Sequence, residues 1–534
     1  MVAVRKIPAD CTSLSYEIEE SLTELPASPK FKLVDPNSYT GEFGANVEYM
    51  VEKTIGSGRA PKKGEPVGKT VPAGFEQSVR QDWIQPFLPG FFFNDPIETP
   101  NTNAFRSSPK NPPVVPSKLA SVSATKFVGT NFTEANGWKI LDTPLVVGSG
   151  FANDANNGLH KITAITATEL TAAGLAAESS VDDASIEVCG VEVSAASAKS
   201  NISISGNEIT IIASQLGTGK TLTPALGSFV HIGGDGDGTK YAGAGKSNTG
   251  WARVVRTVPN GIVCDLTTFT PSVVTGNNNN VQIFLPTRVF RDQITCDDKF
   301  RTTYQLERRL GHADTTYPHE QSQLVTGAVA NQIDFAMPTK SKVMATLNFI
   351  CAESYRRTGA TNLLAPWSGT RKPMSRKNSL VNMSTDLKYG IIYRHDASKF
   401  MPNSIFGLVL DGTLSLNNNC APIEGWGVYG AYDINTGELD IQANLTALFT
   451  NVSALDLAEE GVDAGLFVVF AHDNQGFILD CPLMTVQASP LQVTANEPVK
   501  ISLTNSVNES DFGYAASLQF FDYLPTEATA RKVS

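Results

Sequence analysis

"GEFGANVEYMVEKTIGSGRAPKKGEPVGKTVPAGFEQSVRQD", residues 41–82, decides the fold. Val47, Tyr49 and Val51 alternate with Glu48, Met50 and Glu52, the two-residue period of a strand with one buried face. Phe75 and Val79 take the apolar part in the return segment, opposite Glu76 and Ser78. A Gly/Pro/Lys-rich loop, 56–68, lies between them. The stretch reads as a β-hairpin whose tip exceeds about 12 residues, a length usually reserved for functional or disordered loops. "WIQPFLPGFFF", 83–93, follows as a short aromatic helix or turn.

The same alternation returns from residue 281 onward. "QLVTGAVANQIDFAMPTKSKVMATLNFICAES", 323–354, reads as a second hairpin turning at Pro338–Ser341. Further strands are expected at 407–419, 437–449, 465–484, 499–508 and 514–524, and one helix at 451–461. Residues 1–30 read as an arm, the Pro/Ser-rich stretch 101–120 as a linker, and "NNNN", 277–280, as a second linker. Between the linkers, "LVVGSGFANDANNGLHKITAIT" (145–166) resembles 228–258. Each has an apolar strand, a Gly-rich turn, an Asn-x-Gly (Asn156 to Gly158, Asn248 to Gly250) and a second strand carrying Lys161 or Arg253. Two small β modules, about 121–180 and 210–275, are expected there. The domain plan is therefore 1–120 and 281–534 as two halves of one β domain, with 121–280 inserted between them.

Composition agrees with a β-rich structural chain. The 534 residues are 41% hydrophobic and only 18% charged, enough to bury cores in about two to four domains. The net charge of −11 argues against a basic nucleic-acid-binding face. Seven scattered cysteines form no C-x-x-C pair, the usage expected of a chain made in a reducing cytoplasm. "MVAVRKIPADCTS" has no apolar signal core and no run of about 18 apolar residues occurs, so neither export by the general pathway nor membrane insertion is expected.

Candidate chemistry is thin. "ITIIASQLGTGKTLTP", 209–224, ends in the Gly219-Lys220-Thr221 of a phosphate-binding loop. The opening glycine is replaced by Ser214, and Pro224 and Gly227 stand where the helix should run. A polar turn fits better. Asp235 and Asp237 start like a calcium loop but lack its distal ligands. The six histidines show no metal-ligand spacing, and no nucleophile turn accompanies His395 or His472. No catalytic, cofactor-binding or metal residues are assigned. Basic residues gather at Arg59, Lys62, Lys63 and Lys69 on the first tip, and at Arg371, Lys372, Arg376 and Lys377. Long hairpins on a chain without catalytic features point to an assembly subunit that joins strand edges with its copies.

Three blocks carry a family resemblance: "KLVDPNSYTGEFGANVEYMVEKTIGSGRAPKKGEPVGKTVPAGFEQSVRQDWIQPFLPGFFF" (32–93), "GAVANQIDFAMPTKSKVMATLNFIC" (327–351) and "VKISLTNSVNESDFGYAASLQFFDYLP" (499–525). They resemble the major tail tube proteins of long-tailed, siphovirus-like bacteriophages. The block from Gly227 to Thr268 is similar to a small β module inserted in such proteins. The resemblance implies a mainly-β tail-tube fold of two packed antiparallel sheets with a flanking helix and long hairpins. It further implies hexameric rings stacked into a tube of the flexible, non-contractile type. DNA would pass through the lumen without specific binding. The implied partners are further copies, the tape measure protein, the tail terminator and distal tail or baseplate proteins. The place is the virion tail, assembled in the host cytoplasm. On this basis Glu48, Glu52, Glu76 and Asp334 are expected to line an acidic lumen. Val47, Tyr49, Val51, Phe75, Ile333 and Phe335 would pack on the other sheet. The tip carrying Arg59, Lys62, Lys63 and Lys69 would reach the adjacent ring. Two other classes stand beside it: another β-structured virion protein, such as a capsid decoration or distal tail protein, and a nucleotide-binding or sugar-processing enzyme.

Overall fold

The computed structural model describes residues 7 and 11–529, apart from 41–42, 54, 56–61, 95–116, 134–137, 139–142, 182–183, 194–199, 214–225, 244–245, 260, 276–279, 292–300, 312–318, 368–382, 384, 395–408, 450–458, 489–490 and 492. Strands dominate. The first five are β1 (Ser13–Ile18), β2 (Lys32–Val34), β3 (Ser38–Tyr39), β4 (Asn46–Met50) and β5 (Glu65–Ser78). Two short helices, Gln81–Ile84 and Leu88–Phe92, follow. The middle of the chain holds β6 (Lys118–Val122), β7 (Lys126–Thr130), β8 (Pro144–Ser149), β9 (Gly158–Ile165), β10 (Glu169–Ala172), β11 (Ser185–Val193), β12 (Ser200–Ser205), β13 (Glu208–Ala213), β14 (Phe229–Ile232), β15 (Tyr241–Gly243), β16 (Lys246–Asn248), β17 (Gly250–Val258), β18 (Gly261–Thr267) and β19 (Val281–Phe284). The last part holds β20 (Thr287–Phe290), β21 (Thr303–Gly311), β22 (Gln321–Met337), β23 (Met344–Cys351), β24 (Glu353–Thr358), β25 (Leu387–Arg394), β26 (Val409–Asn417), β27 (Ala421–Ile423), β28 (Asp433–Asn435), β29 (Asp440–Leu448), β30 (Asp463–His472), β31 (Gln475–Ala488), β32 (Lys500–Val507) and β33 (Ser517–Phe521).

Strands from both ends of the chain join in one 17-stranded antiparallel sheet. Its central run is β5–β23–β22–β26–β29–β32–β31. Two long strands carry the sheet around corners. The first half of β22 pairs with β21 and β24, and its second half with β23 and β26. β31 pairs with β30 and β33 early and with β32 late. A strand that changes partners along its length lets one sheet fold over its own core. The β22 corner needs Gly327. Its φ is +61°, and a Cβ there would meet the Ala352 Cβ at 2.9 Å. Its N–H is taken by the buried Glu19 at 2.9 Å.

The core under these layers joins Leu14 and Tyr16 of β1, Phe75 of β5, Leu347 of β23 and Leu518 of β33. "WIQPFLPGFFF" plugs it: Phe87 lies 5.6 Å from Phe75 and 6.0 Å from Phe349, and the Tyr304 hydroxyl donates to the Pro86 carbonyl at 2.9 Å. The mainly-β expectation and the hairpin turning at 338–341 are observed. The helix expected at 451–461 falls almost wholly outside the described residues. Residues 118–120 of the expected linker are strand, the opening of β6.

The strands of the middle of the chain share one sheet. Its 12 strands run in the order β12–β13–β18–β17–β14–β19–β11–β8–β9–β10–β7–β6, over a common core. The order is symmetrical about the β19–β11 pair, which joins two six-stranded units of identical topology. Matching details confirm the repeat. Asn156 and Asn248 are both fully buried. Asn156 donates to the Ala176 carbonyl at 3.0 Å and accepts its N–H at 2.9 Å. Asn248 does the same with Ser272, at 3.0 and 2.8 Å. Each unit also has a short 3-10 turn between its third and fourth strands, Asp154–Asn156, which ends on the buried asparagine, and Asp237–Thr239, which precedes it.

One face of this sheet packs on the β25–β30–β31–β33 layer. Leu145, Phe229, Trp251 and Phe284 meet Tyr393, Phe467, Val469 and Phe521 in a second shared core. Arg253 is buried at this seam, 3.3 Å from Asp265 and 3.6 Å from Asp480, and donates to the Tyr393 hydroxyl at 3.1 Å. The Tyr514 hydroxyl donates to Asp480 at 2.8 Å. Burial raises the Asp480 carboxyl, opposed by the guanidinium of Arg253. Lys161, at the matching place in the other unit, is part-exposed and pairs with Glu192.

Candidate functional site

The central sheet has one apolar and one polar face, because its strands keep a strict two-residue period. On the inner face one cross-strand row reads Phe75, Leu347, Ile333, Leu416, Ile441, all buried. On the outer face the neighbouring row reads Ser38, Glu76, Thr346, Asp334, Ser415, Gln442, Ser506, Thr485. A second outer row reads Gly74, Asn348, Gln332, Asn417, Asp440. A third reads Ser78, Met344, Ala336, Thr413, Asn444, Thr504, Gln487. These three rows hold three carboxylates and no basic side chain.

Hydrogen bonds within the rows fix the side chains. Ser38 Oγ donates to Glu76 at 3.0 Å. Gln332 Nε2 lies 3.0 Å from both Asp334 oxygens and 3.3 Å from Ser415 Oγ. Gln442 Nε2 donates to Asp440 at 3.0 Å. Thr40 Oγ1 donates to Asn348 Oδ1 at 3.0 Å across Gly74, where a Cβ would meet both atoms.

Glu76 and Asp334 thus stand in one row, with Thr346 between them. Glu48 lies opposite Gly68, on the same face of β5 as Glu76. Glu52 lies beyond the end of β4, 3.5 Å from Lys62. Asp440 was not foreseen. Alternation gives each strand its two faces, but only the pairing puts Asp440 beside Asn417.

The β4–β5 ribbon leaves the body beyond Val71. Phe75, Ile333 and Phe335 are buried as expected, but Tyr49 is 65% and Val51 41% exposed. Among the described residues no second layer covers them. Lys62 and Lys63 are exposed at the tip, and Arg59 lies outside the described residues. Lys69 is at the root of the ribbon, bound to Glu353, with Tyr429 5.3 Å away.

The remaining candidates are structural or lie outside the described residues. The latter include Lys220 with its Gly-Lys-Thr turn, the cluster Arg371–Lys377, Cys296, His312 and His395. Asp235 accepts the Thr526 N–H at 2.7 Å, tying the insert to the last helical turn, Thr526–Thr529. His472 is 2.9 Å from Asp386. His231 is buried edge-on to Trp251 at 4.9 Å, and burial lowers its pKa to about 3. Cys189, Cys264, Cys351, Cys420 and Cys481 are buried free thiols and Cys11 is an exposed one. Among the described residues no group of three His, Cys, Asp or Glu side chains is placed to hold a metal ion. No described helix is long and apolar enough to cross a membrane.

The family model described as phage tail tube protein covers residues 12–507. No curated protein matches the chain.

Proposed function

The chain belongs to the phage tail tube protein family, and from that membership we propose that six copies close a ring, that rings stack into the tail tube, and that the outer face of the central sheet lines the DNA channel. The three outer rows carry this reading. Glu76, Asp334 and Asp440 are the only charged groups in them, so a duplex would meet carboxylates, hydroxyls and amides. Phosphate attraction to Lys and Arg dominates nucleic-acid affinity, and a wall without them lets DNA slide. Glu48 continues this face onto the ribbon, and the tip with Lys62 and Lys63 reaches the adjacent ring.

In this arrangement residues before and after the insert form the tube body, and the insert faces outward. The subunit is structural and not an enzyme. Its partners are further copies, the tape measure protein, the tail terminator and the distal tail or baseplate proteins. It is assembled in the host cytoplasm and resides in the virion tail of a siphovirus-like phage.

Negative-stain electron microscopy of the purified protein, concentrated without nucleotide, tests this. Hollow tubes or stacked six-fold rings are expected. Monomers that bind ATP, and lose that binding on Lys220→Ala, would overturn it in favour of the phosphate-binding loop.

A further inference from the structure

A small arm gathers exposed apolar side chains as the β4–β5 ribbon does. β27 and β28 pair as an antiparallel ribbon, Ala421–Asn435 and Ile423–Asp433, and carry residues 424–432 at their end. Of the eighteen exposed large hydrophobic side chains among the described residues, five sit on this arm: Ile423, Trp426, Val428, Tyr429 and Tyr432. Trp426 is fully exposed, at 106%. The arm is braced on the body. Tyr429 lies against Lys69, and a Cβ at Gly430 (φ +120°) would meet Lys69 Cε at 2.9 Å. A braced arm that presents a bare indole has the form of a knob.

The matching hole is on the same molecule. A cavity of about 150 Å³ opens among Met337, Leu387, Val409, Leu445, Leu466 and Val468, with Asp411 also lining it. Leu387 and Val409 are only partly buried there. Apolar walls with one carboxylate suit an indole, which has an apolar body and one N–H to satisfy. Knob and hole lie at opposite ends of β26. The strand begins at Val409 in the cavity and ends at Asn417, four residues before the arm. Eight strand steps separate its ends by about 27 Å. Trp426 is therefore far from its own chain's cavity.

We propose that Trp426 of one copy seats in the Leu387/Val409/Leu445 cavity of a second copy in the adjacent ring. This rests on the tube-subunit reading and assigns the residues of its ring-to-ring contact. A contact between two different surfaces of one molecule is head-to-tail, and when its rotation does not close it continues without limit. Knob and hole at the two ends of one strand give such a contact an axial direction.

The test places both partners in one chain. In a Cys11→Ser background, Trp426→Cys and Gly390→Cys are combined, and the assembled protein is oxidised and run without reductant. Gly390 lines the cavity, is exposed, and has room for a Cβ at 3.6 Å from Leu387. A disulfide ladder running past six copies is expected, absent when either substitution is made alone. In parallel, Trp426→Ala and Gly390→Leu, the latter filling the cavity mouth, should each raise the concentration needed for assembly roughly 30-fold, the loss of one interface hot spot. Unchanged thermal unfolding of the monomer shows that the variants fold. Tubes that form without a ladder, at wild-type concentration for both variants, would overturn the contact and leave the tube reading standing. A ladder without tubes would keep the contact and reject the tube reading. Cross-linking of the Trp426→Cys chain to a different tail protein in assembled tails would also overturn it.

Discussion

His231→Phe should remove a specific part of the protein's acid sensitivity. The imidazole is buried at the seam between the insert and the body, between Trp251 at 4.9 Å and Phe284 at 6.2 Å. Burial holds its pKa at about 3, against an ordinary value near 6.5. The unfolded chain therefore takes up a proton between those two values that the folded chain refuses. Folding gains the full benefit of the neutral ring above pH 6.5 and loses it progressively as the pH falls towards 3. The 3.5-unit gap corresponds to about 4 to 5 kcal/mol over the whole window. Between pH 6 and pH 4 the wild type should lose about 2 to 3 kcal/mol more than the variant, since carboxylate contributions cancel in the comparison. Urea unfolding followed by tryptophan emission at half-unit pH steps measures this, with Trp251 reporting from the seam. Parallel pH profiles for the two proteins would refute the reasoning, because they would mean that the ring is solvated or already charged in the folded state.

Two further outcomes follow from the described geometry. Replacing Glu76 and Asp334 together by lysine should leave assembly intact but make the tubes co-sediment with DNA at low salt and release it as salt rises; tubes that still ignore DNA would separate the outer rows from the channel. Asn248→Ala should destabilise the insert by about 2 to 4 kcal/mol, because the Ser272 N–H and carbonyl both lose their partner. Asn156→Ala should cost a similar amount by the same two-point loss at Ala176, and chemical denaturation in which only one of the pair matters would argue against equivalent units.

The sequence displayed the strands better than their surroundings. The 323–354 hairpin is legible because every other residue is apolar from Ile333 to Met337 and again from Val343 to Phe349, with the polar Pro-Thr-Lys-Ser turn between the two runs. Tyr49 and Val51 show what alternation leaves out: it says which side chains share a face, but not whether anything in the same chain covers it. Proximity in sequence groups Lys69 with the tip lysines, yet Glu353 and Tyr429, about 280 and 360 residues away, hold it at the root of the ribbon. The similarity of 145–166 to 228–258 exposed part of a repeat. The shared sheet stayed hidden because β11 and β19, which join the units, lie outside both stretches. The cavity under Val409 also depends on five strands meeting and leaves no local pattern. Arg253 looks like Lys161 in sequence, and only the packing makes one a buried anchor at the seam and the other a part-exposed partner of the buried Glu192.

The two-unit insert has a consequence in time. Each unit completes five of its strand pairings from its own stretch of chain, but β11 has only β8 beside it until β19 exists. The ribosome must add the 91 residues from 194 to 284 first. At roughly 5–20 residues per second this takes about 5–18 s. Throughout that interval a nascent chain carries the β11 edge, ready to pair with the same edge on a neighbouring nascent chain of the same polysome. Two first units meeting in this way would reproduce the β11–β19 join between different molecules. A protein needed in many copies at once is most exposed to that error when its own messenger is most crowded. Slowing initiation, without changing a single residue, should therefore raise the yield of soluble chain.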